Sequence, residues 1–204
     1  MALALSNGKC QIGSESPLIM SFDRPTDTQI PPSAWVVRFA ALIPPGSAVL
    51  DVACGHGRHA RHFLERGHPV TAVDQDVSGL ADLADDKQLT VLAADLEDGA
   101  PWPFPSATFG AIVVTNYMHR PHYPHLASSL APGGVLLFET FGQGNERLGR
   151  PRNPDFLLAP GELLRAFQDR LQIVAYEHGE EREPRPAIRQ RLAAVNSHEP
   201  VLLP

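Results

Sequence analysis

Residues 49–60 read VLDVACGHGRHA, and this stretch decides the fold. Residues Ala48–Asp51, three of them apolar, predict a buried strand, and Arg58–Arg66 predict a helix that follows it. Between them, Gly55 and Gly57 predict a tight turn, because glycine takes backbone angles that other residues avoid. Glycines without side chains also allow a ligand to lie against the backbone, beside the free N–H groups of the helix start. The stretch therefore predicts a strand, a ligand-binding glycine loop and a helix.

An acidic residue downstream of this loop narrows the choice of ligand. Asp74 lies nineteen residues after Gly55, at the end of the next predicted strand, where a carboxylate accepts hydrogen bonds from ribose hydroxyls. Residues 55–60 also satisfy the dinucleotide pattern Gly-x-Gly-x-x-Ala, which leaves a nicotinamide cofactor as an alternative. Asp51 weighs against that alternative, because a carboxylate just before the glycines opposes a pyrophosphate and suits an amino group or a sulfonium.

Short apolar runs alternate with helical patterns along the chain, which is typical of an α/β fold with parallel strands. The first five predicted strands are Ala48–Asp51, Pro69–Val73, Leu89–Ala93, Phe109–Thr115 and Val135–Glu139. The predicted helices are Pro32–Ile43, Arg58–Arg66, Val77–Asp86, His122–Leu130 and Pro160–Gln168. Two alternating segments, Leu171–Glu177 and Ile188–Val195, predict a final antiparallel pair. This order lacks the second mononucleotide-binding half of a dinucleotide fold.

Composition and charge limit the kind of protein. The 204 residues are 43% hydrophobic and 20% charged, which predicts one domain at residues 21–204 after a poorly ordered lead-in at residues 1–20. The net charge of -6 disfavours a nucleic-acid partner, and no apolar run approaches the ~20 residues that span a bilayer. The two cysteines, Cys10 and Cys54, form no disulfide framework and no cysteine zinc site, so we expect a cytoplasmic protein.

Four motifs resemble those of the class I S-adenosylmethionine-dependent methyltransferases. They are Asp51–Gly57, Ala72–Asp74, Ala94–Leu96 and the strand Ala111–Thr115, in the family's order and spacing. The resemblance implies an α/β fold with a Rossmann-like, seven-stranded, mostly parallel sheet of order 3-2-1-4-5-7-6, strand 7 antiparallel, and helices on both faces. Residues 119–120 and the long loop after strand 5 resemble the small tellurite-resistance-like branch. The implied activity is methyl transfer from S-adenosyl-L-methionine, with S-adenosylhomocysteine as product.

The resemblance also assigns cofactor contacts to the ends of the first four strands. The implied cofactor-binding residues are Asp51, Ala53, Cys54, Gly55, Gly57, Asp74, Gln75, Asp95, Leu96 and Asn116. By that resemblance the glycine loop holds the methionine portion, Asp74 the ribose hydroxyls and Asp95 the adenine amino group. The Leu96 backbone contacts the ring, and Asn116 lies beside the methionine end. From the residues alone, Asp95 as the cap of a turn and Asn116 as the end of a strand remain alternatives.

The methyl acceptor is expected near the carboxyl ends of strands 4 and 5. Residues 116–125 lack the Asn/Asp-Pro-Pro-aromatic motif that related enzymes use for exocyclic amines, so we expect a small acceptor that is anionic or a soft nucleophile. Three candidate catalytic residues follow strand 4: His119 as a general base, with Tyr117 and Arg120 placing the acceptor. The loop Gly142–Asp155 predicts either a basic lid over the acceptor or a solvated surface loop.

The expected protein is a methyltransferase that acts on a small molecule mainly by proximity and alignment. An NAD-type oxidoreductase and a catalytically silent protein that binds S-adenosylmethionine are the alternatives. His119, His122 and His125 share a spacing of three, but prolines interrupt them and no carboxylate or cysteine joins them, so we expect no metal site. We expect a monomer or homodimer without a nucleic-acid or membrane partner.

Overall fold

One sheet of seven strands organises residues 30–204, which are the residues that the computed structural model describes. The strands are β1 Val49–Val52, β2 Val70–Asp74, β3 Leu89–Ala93, β4 Phe109–Thr115, β5 Leu130–Phe141, β6 Gln172–Glu181 and β7 Ala187–Val195. Their order is β3-β2-β1-β4-β5-β7-β6, with β7 antiparallel to both neighbours, which confirms the predicted topology. The lead-in predicted at residues 1–20 lies outside the described residues, as do residues 21–29 of the predicted domain.

Helices cover both faces of the sheet, as predicted. The helices are α1 Ala34–Phe39, α2 Arg58–Leu64, α3 Tyr123–Ser129 and α4 Glu162–Phe167. Successive side chains of a strand point to opposite faces, so Leu50 packs with α3 and α4, whereas Val49 packs with α1 and α2. Every residue of β1 and β4 is buried, which explains why apolar runs predicted these central strands well.

The segment between β2 and β3 differs from the α-helix predicted at Val77–Asp86. It forms a 3-10 helix at Ser78–Leu83, and Asp76 accepts a hydrogen bond from the Ser78 N–H at 2.9 Å. A Cβ on Gly79 would lie 2.7 Å from the Cα of His56. Close contact with the glycine loop therefore accompanies this short helix. Helix α1 is also shorter than the predicted Pro32–Ile43, because after Phe39 the chain passes into a 3-10 turn at Ala40–Leu42.

Strand β5 is longer than the predicted Val135–Glu139, and it includes the predicted turn at residues 132–134. The extra residues are paired: the Gly133 N–H donates to the Asn196 carbonyl at 2.7 Å, and the Asn196 N–H donates to the Gly134 carbonyl at 2.8 Å. A Cβ on Gly134 would lie 2.8 Å from the Phe109 carbonyl oxygen. These glycines therefore permit close strand pairing where the sequence predicted a turn.

The carboxyl ends of the five parallel strands meet at one edge of the sheet. Because β7 is antiparallel, its first residues reach the same edge, where Arg189 pairs with Phe141 and Arg191 with Glu139. Asn116, which follows β4, thus lies near the start of a strand that begins more than 70 positions further along the chain. Within residues 30–204, no helix combines the length and apolar character needed to cross a membrane.

Candidate functional site

The glycine loop between β1 and α2 contains residues with left-handed backbone angles. Ala53 and Gly55 have φ of 53°, and Gly57, with φ of 76°, precedes α2. A Cβ on Gly57 would lie 2.1 Å from the Cδ2 atom of Leu80, whereas a Cβ on Gly55 would meet no atom of residues 30–204 within 4 Å. Gly57 therefore allows the loop to pack against Leu80, and Gly55 leaves its backbone open to a cavity.

Asp74 joins the end of β2 to this loop. Its Oδ2 accepts a hydrogen bond from the Gly55 N–H at 2.9 Å, and its Oδ1 accepts one from the Asp76 N–H at 3.1 Å. Asp95, just beyond β3, accepts from the Glu97 N–H through Oδ1 at 2.8 Å. A carboxylate has about four acceptor positions, so both groups are held by the backbone and can still accept from a ligand.

Two neighbouring cavities, of about 370 Å³ and 240 Å³, lie along this edge and share Ala53, Asp74 and Tyr117. The predicted cofactor-binding residues that line one or both are Ala53, Cys54, Gly55, Asp74, Gln75, Asp95, Leu96 and Asn116. The first cavity holds the glycine loop and Asn116, and the second holds Asp95 and Leu96. An elongated ligand that spans both would have its middle beside Asp74, as expected for a ribose between two different ends.

The remaining two predicted contacts, Asp51 and Gly57, lie behind the cavity walls. Asp51 is 1% exposed, and its Oδ2 accepts a hydrogen bond from the Ala60 N–H at 3.0 Å. Burial raises the pKa of Asp51 to about 7, against the opposing effects of this hydrogen bond and of Arg58. Asp51 therefore secures the first turn of α2, and its expected direct contact with an amino group does not follow from this geometry.

A buried chain of hydrogen bonds joins α2 to the start of α1 and to β5. His59 Nε2 accepts from the Ser33 N–H at 3.1 Å, and Ser33 Oγ donates to Glu139 Oε2 at 3.0 Å. Since Nε2 accepts, the proton of the neutral ring lies on Nδ1, 3.4 Å from Thr115 Oγ1. Burial, reinforced by Arg58, lowers the pKa of His59 to about 3. These hydrogen bonds anchor α1 beside the first cavity.

Tyr117 is the predicted catalytic residue that the structure places on both cavities. Its hydroxyl is buried and has no hydrogen-bond partner among residues 30–204. Burial raises the pKa of Tyr117, and the nearby Glu97 carboxylate adds to the effect. The hydroxyl therefore keeps its proton, and it can donate where the cavities meet, with the Glu97 carboxylate as its nearby acceptor in the free protein.

The structure does not bring His119 and Arg120 to the two cavities that Tyr117 lines. His119 lines neither of the two cavities, and its Nδ1 lies 3.6 Å from Glu97 Oε2. The Arg120 guanidinium is engaged by Glu162, at 2.7 Å from Nε and 3.1 Å from Nη2, and by backbone carbonyls of the long loop. Arg120 therefore connects α4 and residues 155–157 to the segment that follows β4. Its position directly after His119 in the sequence did not reveal these contacts.

A third cavity, of about 260 Å³, adjoins the other two at Asn116, Tyr117 and Glu97. Its other walls are Met118, Thr140, Phe141, Pro151 and Phe156. The loop Gly142–Asp155, predicted as a lid or a surface loop, reaches this cavity through Pro151, and Phe156 follows directly after the loop; none of the loop's arginines lines the cavity. Glu97, which the sequence analysis did not single out, lines two of the three cavities and is the point of contact with His119.

Strand β7 supplies a second residue that the sequence analysis missed. Arg189 Nη1 donates to Asn116 Oδ1 at 2.8 Å and lies 3.7 Å from Glu139 Oε1, and its Nε pairs with Glu181. Its guanidinium lies over the Phe141 ring, 4.3 Å from the centroid. The sequence could have indicated Arg189 through its position at the start of a strand predicted to be antiparallel. Such a strand begins at the edge of the sheet where the parallel strands end.

Comparison with known proteins identifies the family. A family described as a methyltransferase domain matches residues 27–195, which is most of the chain. The chain belongs to this methyltransferase family. A malonyl-[acyl-carrier protein] O-methyltransferase from Serratia marcescens is 35% identical over 143 residues, covering 66% of this chain and 54% of that protein. This methyltransferase chain spans about half the length of the curated relatives it matches.

Solved methyltransferase structures share the fold at low sequence identity. TehB from Haemophilus influenzae has a TM-score of 0.64 and 20% identity, over 79% of this chain and 61% of that chain. The 1,6-didemethyltoxoflavin-N1-methyltransferase from Burkholderia thailandensis, solved with bound S-adenosylhomocysteine, has a TM-score of 0.60 and 20% identity, over 80% and 76% of the two chains. Together with the family match, the predicted class I fold is confirmed, and S-adenosylmethionine is the cofactor of this methyltransferase class.

The residues of the site fit this cofactor. The space beside Gly55, the protonated hydroxyl of Tyr117 and the carboxylates of Asp74 and Asp95 provide a backbone cradle, a donor and acceptors along one edge. The NAD-type alternative would require a second mononucleotide-binding half. The sheet of residues 30–204 does not form one, because it continues through antiparallel β7. Across the described part of the chain, no three His, Cys, Asp or Glu side chains are grouped to hold a metal ion.

Proposed function

We propose that this domain transfers the methyl group of S-adenosylmethionine to a small acceptor that enters beneath the segment 142–156. The observation that carries the proposal is the meeting of three cavities at Tyr117, two lined by predicted cofactor-binding residues and one walled by the long loop. This arrangement supports alignment of donor and acceptor across the ends of β4 and β5. Alignment supplies much of the rate when the acceptor is already a good nucleophile.

In the proposed complex the cofactor lies along the carboxyl edge of the sheet. Asp74 would accept hydrogen bonds from the ribose hydroxyls, and Asp95 would accept from the adenine amino group beside Leu96. Gly55 and Asn116 would border the methionine end. The bound cofactor supplies an electrophilic methyl sulfonium, while the chain binds, orients and shields it from water.

The acceptor-side cavity favours a molecule with an apolar body, because Met118, Phe141, Pro151 and Phe156 form much of its wall. Arg189 contributes a cation beside Asn116, although Glu139 and Glu181 offset its charge. An acceptor with an apolar body and an anionic or soft nucleophilic group suits both features. The name of the Serratia marcescens relative, a malonyl O-methyltransferase, supports the inclusion of carboxylates among the candidates.

The proposed step needs no general base when the acceptor is a carboxylate or a thiolate. Tyr117 then donates a hydrogen bond that positions the acceptor, which agrees with its raised pKa. His119 does not line this cavity, and Arg120 is held by Glu162, so neither takes part in the proposed transfer. Of the three catalytic residues predicted from the sequence, the proposal retains Tyr117.

Calorimetric titration tests the cofactor site. The protein is expected to bind S-adenosylhomocysteine and S-adenosylmethionine, and NADH is expected not to compete. Asp74→Ala should weaken binding by about 1.5–3 kcal/mol for each lost charge-assisted hydrogen bond. The exposed Asp169→Ala is the matched control and should bind as the wild type does. Unchanged affinity in Asp74→Ala would remove Asp74 from the ribose site, and NADH binding without S-adenosylhomocysteine binding would reject the proposal.

A methyl-transfer assay tests the acceptor. Apolar carboxylates, thiols and phenols are offered with radiolabelled S-adenosylmethionine, and turnover is expected with members that are anionic at the assay pH. Arg189→Gln should raise the KM for an anionic acceptor about tenfold, which is more than it weakens S-adenosylhomocysteine binding through the lost contact with Asn116. Cofactor binding without turnover across the whole panel would favour the catalytically silent alternative.

The proposal includes a cytoplasmic setting, with no nucleic-acid or membrane partner. The net charge of -6 and a buried free thiol at Cys54, whose pKa burial raises to about 12, support it. We propose a monomer or homodimer. Sedimentation equilibrium tests the assembly, and a larger oligomer would contradict it.

A further inference from the structure

One hydrogen bond reaches the predicted adenine-binding segment from outside the cofactor cavities. The Nε2 atom of His122 lies 2.7 Å from the carbonyl oxygen of Leu96. We propose that His122 is a positioning residue that orients the segment Asp95–Glu97 for adenine. This inference rests on the proposed placement of the cofactor, and it assigns a role to a histidine that the sequence analysis considered for metal binding.

The direction of this hydrogen bond is determined by its partner. A backbone carbonyl only accepts, so the His122 Nε2 atom carries the proton and donates it. His122 is 8% exposed, and burial is the main cause that lowers its pKa. The ring is therefore neutral near pH 7, and its single N–H is committed to Leu96.

The effect of His122 passes to Asp95 through one peptide group. The Leu96 carbonyl and the Glu97 N–H belong to the same planar unit. His122 holds the oxygen of that unit, and Asp95 Oδ1 accepts from its N–H at 2.8 Å. A rotation of the peptide plane would therefore weaken both bonds together. His122 thus fixes the plane that holds the Asp95 carboxylate, leaving Oδ2 for the adenine amino group.

His122 is itself held in place by neighbouring rings. The His122 centroid lies 4.5 Å from that of His119 and 4.8 Å from that of Trp102. Trp102 is fixed in turn, because its Nε1 donates to Ser129 Oγ at 3.0 Å. These rings form one side of a cavity of about 530 Å³, which shares Leu96 and Glu97 with the adenine-side cavity. The donor therefore approaches Leu96 from a packed support rather than from a mobile side chain.

Binding of two ligands tests this role. S-adenosylhomocysteine carries the adenine amino group, and S-inosylhomocysteine carries a carbonyl oxygen in its place, so it has no donor for Asp95 at that position. His122→Phe keeps a ring against Trp102 but removes the donor. It should weaken S-adenosylhomocysteine binding about 5- to 30-fold and S-inosylhomocysteine binding about twofold or less. His122→Gln, whose amide retains a donor, should restore most of the preference for S-adenosylhomocysteine.

His125→Phe is the matched control, because its ring belongs to the same cluster and is more exposed. It should preserve both affinities. An equal loss for both ligands in His122→Phe would indicate a merely structural role and overturn the inference. Unchanged S-adenosylhomocysteine binding in His122→Phe would overturn this inference alone. Failure of the wild-type protein to bind either ligand would overturn the proposed function as well.

A spectroscopic measurement on the wild-type protein keeps the inference testable if the variants fold poorly. Nitrogen-15 correlation spectra of the histidine rings should show His122 protonated at Nε2 and not at Nδ1 near neutral pH. A ring protonated only at Nδ1 has no donor for Leu96, and it would overturn the inference.

Discussion

The substitution Gly57→Ala is expected to destabilise the fold much more than Gly55→Ala. Both glycines have positive φ, of 76° and 53°. The left-handed conformation costs an alanine about 1–2 kcal/mol at either site. Ala53 already takes φ of 53° in the same loop, so the loop accommodates this strain. The two substitutions therefore differ mainly in what the new methyl group meets.

At Gly57 the new Cβ would lie 2.1 Å from Leu80 Cδ2 and 3.2 Å from Leu80 Cγ. Leu80 is 2% exposed, so it moves away only by displacing other core residues. Overpacking of this kind costs about 1–3 kcal/mol. With the backbone strain, Gly57→Ala should lose about 2–5 kcal/mol of the free energy of unfolding, and Gly55→Ala about 1–2 kcal/mol.

Urea unfolding at 25 °C measures the stability difference, and calorimetry measures cofactor affinity. Gly55→Ala fills open space on the wall of the first cavity, so it should weaken S-adenosylhomocysteine binding at least tenfold while the protein remains folded. The double variant Gly57→Ala with Leu80→Ala isolates the contact. Because the alanine methyl enters space that Leu80 vacates, its loss should be at least about 1 kcal/mol smaller than the sum of the single losses.

Three results would refute this reasoning. Equal losses of stability in Gly57→Ala and Gly55→Ala would mean that backbone strain, and not contact with Leu80, governs the loop. Additive losses in the double variant, within about 0.5 kcal/mol, would deny the contact itself. Unchanged cofactor affinity in Gly55→Ala would show that the open space beside that residue is not used by the ligand.

Two buried groups should give opposite dependences of stability on pH. The pKa of Asp51, about 7, lies above its ordinary 3.8, so the stability it contributes at low pH is lost as the pH rises through 7. Asp51→Asn should reduce the fall in unfolding free energy between about pH 5 and pH 8 by about 2 kcal/mol. The pKa of His59, about 3, lies below 6.5, so stability falls as the pH drops from 6.5. His59→Gln should flatten that slope in urea unfolding, and slopes equal to those of the wild type would contradict either prediction.

The sequence predicted the sheet well because its signal is local. Runs such as Phe109–Thr115 are apolar throughout, and a strand buried on both faces requires that composition. The segment at Val77–Asp86 was predicted less well, since helical periodicity does not reveal that Gly79 contacts His56. The length of β5 was missed because the glycines after Pro132 predict a turn until the pairing with Asn196 is known.

The candidate site, too, was predicted from the sequence only in part. The spacing of Gly55 and Asp74 predicted that both belong to one ligand site, and the structure joins them by a hydrogen bond because both follow adjacent parallel strands. The opposite holds for Asp51 and His119, which were predicted at the site but line none of the three cavities that meet at Tyr117. Direction depends on packing, and burial turns Asp51 towards the Ala60 N–H.

By itself, the sequence determined the succession of strands along the chain, the glycine loop and the acids that follow β2 and β3, because each depends on short-range patterns. The order of the strands within the sheet was implied by the resemblance to class I methyltransferases. Only the tertiary structure decided that Arg189 meets Asn116 across 73 positions and that His122 holds Leu96 from behind. The physical reason is that these contacts form between side chains and backbone groups brought together by the sheet. Their energies depend on distances of about 3 Å that no local pattern encodes.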